Sequence, residues 1–246
     1  GIPTLPSFRR DTTDRNRTSP FAFTGNKFEF RMLGSAQNIA LPNIILNTAV
    51  AESFRQYADR LEGAEDFDAA LIALIREAFC AHQRILFDGN GYSQAWEKEA
   101  EARGLLNLRT SPEAYDRFDL PKNVALLTEH RIMNDAEIHS RKEILFENYA
   151  KTVNIEALTM IEMAERDILP AVERYEGELA RIALDKREFI PTLSTRVESR
   201  RLTELSERME RAYDALDALK RADADAIALA DDAKKMAYAY CREVIP

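Results

Sequence analysis

Three features of the 246-residue sequence predict a mainly α-helical fold with one small β-hairpin near its start. Apolar residues recur at steps of three and four from Leu46 almost to the C-terminus. Seven of the eight glycines fall within residues 1–104, and only Gly177 lies in the remainder of the chain. Aromatic residues alternate with others in one place, on either side of a Thr-Gly-Asn turn at 24–26.

Residues 1–20 read as loop, with Pro3, Pro6 and Pro20 among Asp, Thr, Asn and Arg. Phe-Ala-Phe at 21–23 and the run from Lys27 to Met32 then read as strand, turn and strand. Pro42 and Asn43 precede Leu46, Val50, Phe54, Tyr57 and Leu61, an amphipathic helix ended by Gly63. A second helix is predicted over 66–87, stopped by Asp-Gly-Asn-Gly at 88–91. Ser93 is placed to cap a short helix closed by Gly104, and Ser111 with Pro112 and Glu113 to start another.

From 135 to 189 little interrupts a helix, which at 1.5 Å per residue would be a rod of roughly 80 Å. Pro170 is the exception and is expected to kink or split it. Apolar positions around Leu145, Tyr149, Val153 and Met160 widen into a broad stripe, so that half is expected to be covered on several sides. Leu202, Leu205, Met209, Ala212, Leu216 and Leu219 form a coiled-coil seam on a helix of about 195–222. The expected partner is the 172–189 stretch, folded back antiparallel near Pro191, with a last helix over 223–245 as third member.

Composition narrows the function classes. A hydrophobic content of 46% supports at least one sizeable core. No window is apolar for long enough to span a bilayer, and the N-terminus lacks the pattern of a secretory signal. A cytoplasmic protein without membrane contact is expected. Cys80 and Cys241 stand alone, with no disulfide framework. Gly1 and Pro246, the latter after an apolar helical stretch, suggest a piece of a longer protein. Residues 1–31 balance at +3 in a chain of net charge −8, leaving −11 elsewhere. A small cationic segment suits a local anionic ligand such as a nucleotide or carboxylate; nucleic acid would need a broad basic face.

Several catalytic classes find no support. His82, His130 and His139 lie far apart and outside any ligand pattern, and no GxSxG, P-loop or GxGxxG motif occurs. Glu143, Glu147, Glu162 and Glu165 are interleaved with lysine and arginine, as on solvated helix faces. The Glu-x-x-His pairs of a di-metal bundle are lacking. The hairpin differs. Alternation sets Phe28, Phe30 and Met32 on one face and Lys27, Glu29 and Arg31 on the other. A half-buried strand with a solvated face has the same pattern, but Asp-Arg-Asn-Arg at 14–17 brings more cations just ahead of it. A carboxylate among guanidinium and ammonium groups suits phosphoryl transfer.

The run NRTSPFAFTGNKFEFR at 16–31 resembles the end of the catalytic domain of glutamine synthetases, in the form of the type III branch. There an Asn-Arg loop leads into a strand reading basic, apolar, Glu, apolar, Arg. Residues 85–108 and 139–175 are similar to the helical C-terminal region of type III enzymes, so the resemblance covers nearly the whole chain. It implies a division into 1–45, the end of the catalytic domain, and 46–246, the helical domain. It implies that Glu29 ligates an active-site Mg²⁺ or Mn²⁺ and that Arg31 contacts glutamate and the transferring phosphoryl group. Arg17 would meet the γ-phosphate of ATP, and Lys27 would stand near ATP. The implied reaction joins glutamate and ammonia through γ-glutamyl phosphate, in a ring-type homo-oligomer, a dodecamer. Pro20, Phe21 and Ala22 occupy the place of a further family arginine. The other metal carboxylates are not in this chain, which is therefore expected to be inactive alone. The competing reading is a non-catalytic helical scaffold or oligomerisation module.

Overall fold

The computed structural model describes residues 21–23, 28–30, 37–87 and 89–245. It divides into two compact units, Gly1–Leu108 and Arg109–Pro246. Both are dominated by helix.

In the first unit, β1 (Phe21–Phe23) pairs antiparallel with β2 (Phe28–Phe30). The long α1 (Ala40–Leu61) starts two residues before Pro42, because proline is tolerated in a first turn, where its missing N–H has no partner to lose. The Asn38 carboxamide oxygen accepts from the Ala40 N–H at 2.7 Å. Gly63, at φ +76°, lets the chain turn, and Asp66 caps α2 (Phe67–Ala81) by accepting from the Ala69 N–H at 3.0 Å. Arg60 and Glu77 tie the two helices at 2.5 Å. Here the structure corrects the sequence: α2 stops at Ala81 rather than near residue 87, giving way to a 3₁₀ turn at Gln83–Ile85. The reason is tertiary. The Phe87 ring stacks on Trp96 at 3.7 Å, and Arg103 donates to the Leu86 carbonyl at 2.7 Å while lying over the same indole. Trp96 lies on α3 (Gln94–Ala102), which Ser93 caps and Gly104, at φ +75°, closes.

The second unit opens with α4 (Ser111–Tyr115). Its cap is Thr110, not Ser111: the Thr110 hydroxyl accepts from the Glu113 N–H while the Glu113 carboxylate accepts from the Thr110 N–H. The next helix, α5 (Pro121–Glu129), ends on Arg131 at φ +54°, where the Ile132 N–H reaches back to the Leu127 carbonyl at 2.9 Å. Asn134 and Glu137 form a second reciprocal cap at the head of α6 (Asp135–Met163).

Helix continues through 189, as the spacing predicts. Pro170 does not split it. One π turn at Ala164–Ile168 precedes α7 (Leu169–Phe189), and the Leu169 N–H bonds the Ala164 carbonyl five residues back. The widened turn accommodates the proline ring and the carbonyl it leaves without a donor.

After a bend at 190–195 the chain returns as α8 (Arg196–Ile227). Lys186 pairs with Glu198 at 2.5 Å, Tyr213 donates to Glu173 at 2.7 Å, and Lys220 pairs with Glu165. Partner numbers fall along α7 as they rise along α8, so the two run antiparallel. Their seam buries Leu169, Met209 and Leu216, with Ile161, Val172 and Ala212 packed against them.

Two further expectations are corrected. The last boundary lies at Ile227, not 222, since Asp223 is a buried residue within α8 rather than the start of a helix. The final helix, α9 (Ala233–Ala239), capped by Asp232 and followed by a π turn at Tyr240–Val244, packs on α6 and not on the 172–189 stretch. Ala150, Ala157, Ala226 and Ala237 let these backbones approach, and Phe146, Val153, Tyr240 and Val244 fill the space between them.

Phe146 is fully buried and meets Tyr115 edge-on at 5.5 Å, whereas Phe189 is 86% exposed. Phe146→Ala should therefore cost about 3–5 kcal/mol in urea denaturation and Phe189→Ala less than about 0.5 kcal/mol.

Candidate functional site

The hairpin register pairs Phe21 with Phe30, Ala22 with Glu29, and Phe23 with Phe28. Period-two alternation thus assigns positions 22 and 29 to one face and the four phenylalanine positions to the other. Glu29 sits at the centre of β2. Arg17, Lys27 and Arg31 lie outside the described residues. Among the described residues no three His, Cys, Asp or Glu side chains are grouped so as to hold a metal ion. A single carboxylate at position 29 does not make a two-ion centre, and these residues alone do not fit one.

The second unit contains two polar constellations that sequence reasoning missed. Lys142 bonds Asp119 at 2.8 Å, Lys234 bonds Asp116 at 2.5 Å, and the Tyr238 hydroxyl donates to Asp116 at 2.7 Å. Burial opposes ionisation of Asp116, yet Lys234, Tyr238 and Lys142 together hold its carboxyl below the usual range. The hydrogen bond from Lys142 does the same for Asp119. His139 lies between Asp119 at 3.3 Å and Asp135 at 3.6 Å.

Deeper in the unit, the Asn154 amide donates to Asp223 at 3.0 Å and to the Tyr240 hydroxyl at 2.7 Å, and that hydroxyl donates to Asp223 at 3.0 Å. Burial first, then the Asp223 carboxylate, pushes the Tyr240 phenol up to about 12. Burial and Asp116 do the same to Tyr238, also to about 12. These groups join α6, α8 and the C-terminal π turn, so their chemistry is that of a structural lock. The outer carboxylates are ordinary: Glu147 pairs with Lys151 at 2.6 Å, and Glu162 with Arg166, each four residues on. Asn154 and Asp223 gave no signal in sequence because both fall on helices already rich in polar residues.

Comparison with known proteins gives this architecture a family. Residues 70–187 match the model of the glutamine synthetase C-terminal domain. The chain is 43% identical over 183 residues to the type-3 glutamine synthetase of Dictyostelium discoideum, covering 73% of this chain and 24% of that protein. The chain belongs to the glutamine synthetase family. A glutamine synthetase of Bacteroides fragilis (strain YCH46) is 35% identical over 253 residues, taking in 100% of this chain and 35% of its own length. That of Butyrivibrio fibrisolvens is 37% identical over 189 residues, 75% of this chain and 26% of its own. The chain therefore spans about a quarter to a third of the length of these curated relatives. The match to the glutamine synthetase C-terminal domain begins within α2 and ends within α7. Both polar constellations begin within it and are completed by Asp223, Lys234, Tyr238 and Tyr240 beyond it.

The raised phenols give a pH test of the lock. Tyr238 and Tyr240 ionise near 10.0 when unfolded and near 12 when folded. Between those values the unfolded chain holds fewer protons, so stability is full below pH 10 and falls as pH rises toward 12. Chemical denaturation across pH 9–12 should show a loss of about 1 kcal/mol per pH unit for each phenol, and Tyr240→Phe should make the loss shallower.

Proposed function

We propose that this chain is the C-terminal part of a glutamate–ammonia ligase: residues 1–45 end the catalytic domain and residues 46–246 form a helical domain appended to it. The observation that carries this reading is similarity to a glutamine synthetase along all of the chain, the hairpin included. The proposed reaction transfers the γ-phosphoryl group of ATP to the γ-carboxylate of glutamate, after which ammonia displaces phosphate to give glutamine.

In this reading the Arg17 and Arg31 guanidinium groups neutralise charge that accumulates on the migrating phosphoryl oxygens, a contribution that is strong where water is excluded. Lys27 adds a cation near ATP. Glu29 supplies one ligand for Mg²⁺ or Mn²⁺, and the remaining ligands come from sequence outside this chain. By itself the chain makes no glutamine. The proposed setting is a cytoplasmic, ring-shaped homo-oligomer, a dodecamer.

The scaffold reading is favoured for the second unit by one observation: Asp116, Asp119 and Asp223 are engaged by lysine, tyrosine or asparagine of its own helices. The two readings separate at the hairpin. In the complete enzyme, Glu29→Ala should abolish metal-dependent glutamine formation with an unchanged circular dichroism spectrum. Arg31→Ala should lower kcat by about 10²–10³, the range for loss of one stabilising donor. Unchanged glutamine formation in both variants would leave the scaffold alone.

A further inference from the structure

Beyond the seam that buries Leu169, Met209 and Leu216, the α7–α8 pair continues toward the bend with little else buried: Leu179, Thr195 and Glu198. This distal arm has two unlike surfaces. Its tip is apolar and cationic. Phe189 is 86% exposed, Val197 57%, Leu193 44% and Ile190 42%, all between residues 189 and 197. Residues 181–201 include six cationic and three acidic side chains, a balance of +3 on a chain of −8. Among the described residues Arg187 and Arg196 have no carboxylate partner, and Arg200 approaches Glu204 only to 3.8 Å.

Nearer the seam, a shallow groove of about 570 Å³ is lined by Glu173, Glu176, Glu210 and Asp214, with Met209, Ser206 and Tyr213. Tyr213 and Ser206 hydroxyls donate to Glu173 and Glu176, but among the described residues none of the four carboxylates has a cationic partner. Two isolated like charges would be ordinary. A row of four acids beside the exposed Tyr213 ring, and a cationic apolar tip on the same rod, are complementary in charge.

We propose that two copies of this chain associate through their α7–α8 arms, laid antiparallel, with the tip of each on the acidic groove of the other. Glu176 and Phe189 are thirteen residues apart on one helix, roughly 20 Å along the axis. Side-by-side reversal of two such rods therefore brings both tips onto both grooves about one twofold axis. Such a contact is self-complementary and closes at two copies. Phe189, Leu193 and Val197 supply the apolar surface that leaves water, and Arg196 and Arg200 set the register against Glu210 and Asp214. This association rests on the arm alone and not on the ligase reading, because its readout is mass rather than turnover.

The test is sedimentation velocity of the 246-residue chain at low and high salt. Dimers that dissociate at high salt are expected. Arg196→Glu with Arg200→Glu should weaken association about tenfold or more, as should Glu210→Lys with Asp214→Lys. Mixing the two charge-reversed proteins should restore dimers, since each tip then meets a groove of opposite sign. Phe189→Ser with Leu193→Ser should give monomers with unchanged far-ultraviolet circular dichroism. Should a reversal variant fail to fold, Arg196→Ser with Arg200→Ser takes its place. A wild-type monomer at every concentration, dimers unaffected by either reversal, or a mixture that stays monomeric would each overturn the proposal.

Discussion

The second unit is organised around an unbroken helix that has to pass a proline. Pro170 offers no N–H and crowds the carbonyl four residues earlier, a conflict worth about 3 kcal/mol in a regular helix. The π turn at Ala164–Ile168 resolves it by shifting the bonding by one residue, with Leu169 bonding Ala164. One rod can then serve two cores. Phe146, Ala150, Val153 and Ala157 face α9 and the end of α8, while Ile161, Leu169 and Val172 face the middle of α8. A helix ending at Ile168 would leave the α7–α8 arm joined to the rest by a loop, with its direction unset.

Buried polar groups fix how the pieces fit. Alanine-lined packing is permissive, since small side chains allow sliding. The Asn154, Asp223 and Tyr240 triad is not: each hydrogen bond exists in one register of α6, α8 and the final turn. Asp116 does the same between α4 and α9 through Tyr238 and Lys234. The helical domain thus commits Asp116, Asp119 and Asp223 to its own architecture. In the proposed function, ligase chemistry is left to the hairpin and to the part of the relatives' length that this chain does not span.

Helices with long, regular apolar spacing were legible in the sequence, as 135–189 and the Met209, Ala212, Leu216 seam illustrate. Their ends were legible only where a local signal decides them, as at Gly63, Ser93 and Gly104. Where a tertiary contact decides, sequence reading fails. The end of α2 depends on Arg103 and Trp96, some twenty residues on, and the length of α8 depends on a buried partner for Asp223. The sequence assigns the last helix to the 172–189 stretch, whereas small residues on α6, no signal by themselves, bring it onto α6. At the hairpin, composition and alternation suggested only that cations surround one carboxylate. Roles for Arg17, Lys27, Glu29 and Arg31 came from resemblance in order and spacing, not from physical chemistry alone.

In the proposed function this helical chain works as the final part of a much longer ligase. The most direct test is the mass of the native polypeptide in its source cells, detected with an antibody raised against the chain. Because the whole chain aligns with 35% of the Bacteroides fragilis relative, a band roughly three times its 28.0 kDa is predicted. Purified, that protein should form glutamine from glutamate, ammonia and ATP. A stable native product near 28.0 kDa would contradict the proposed function and make the helical scaffold the function to pursue.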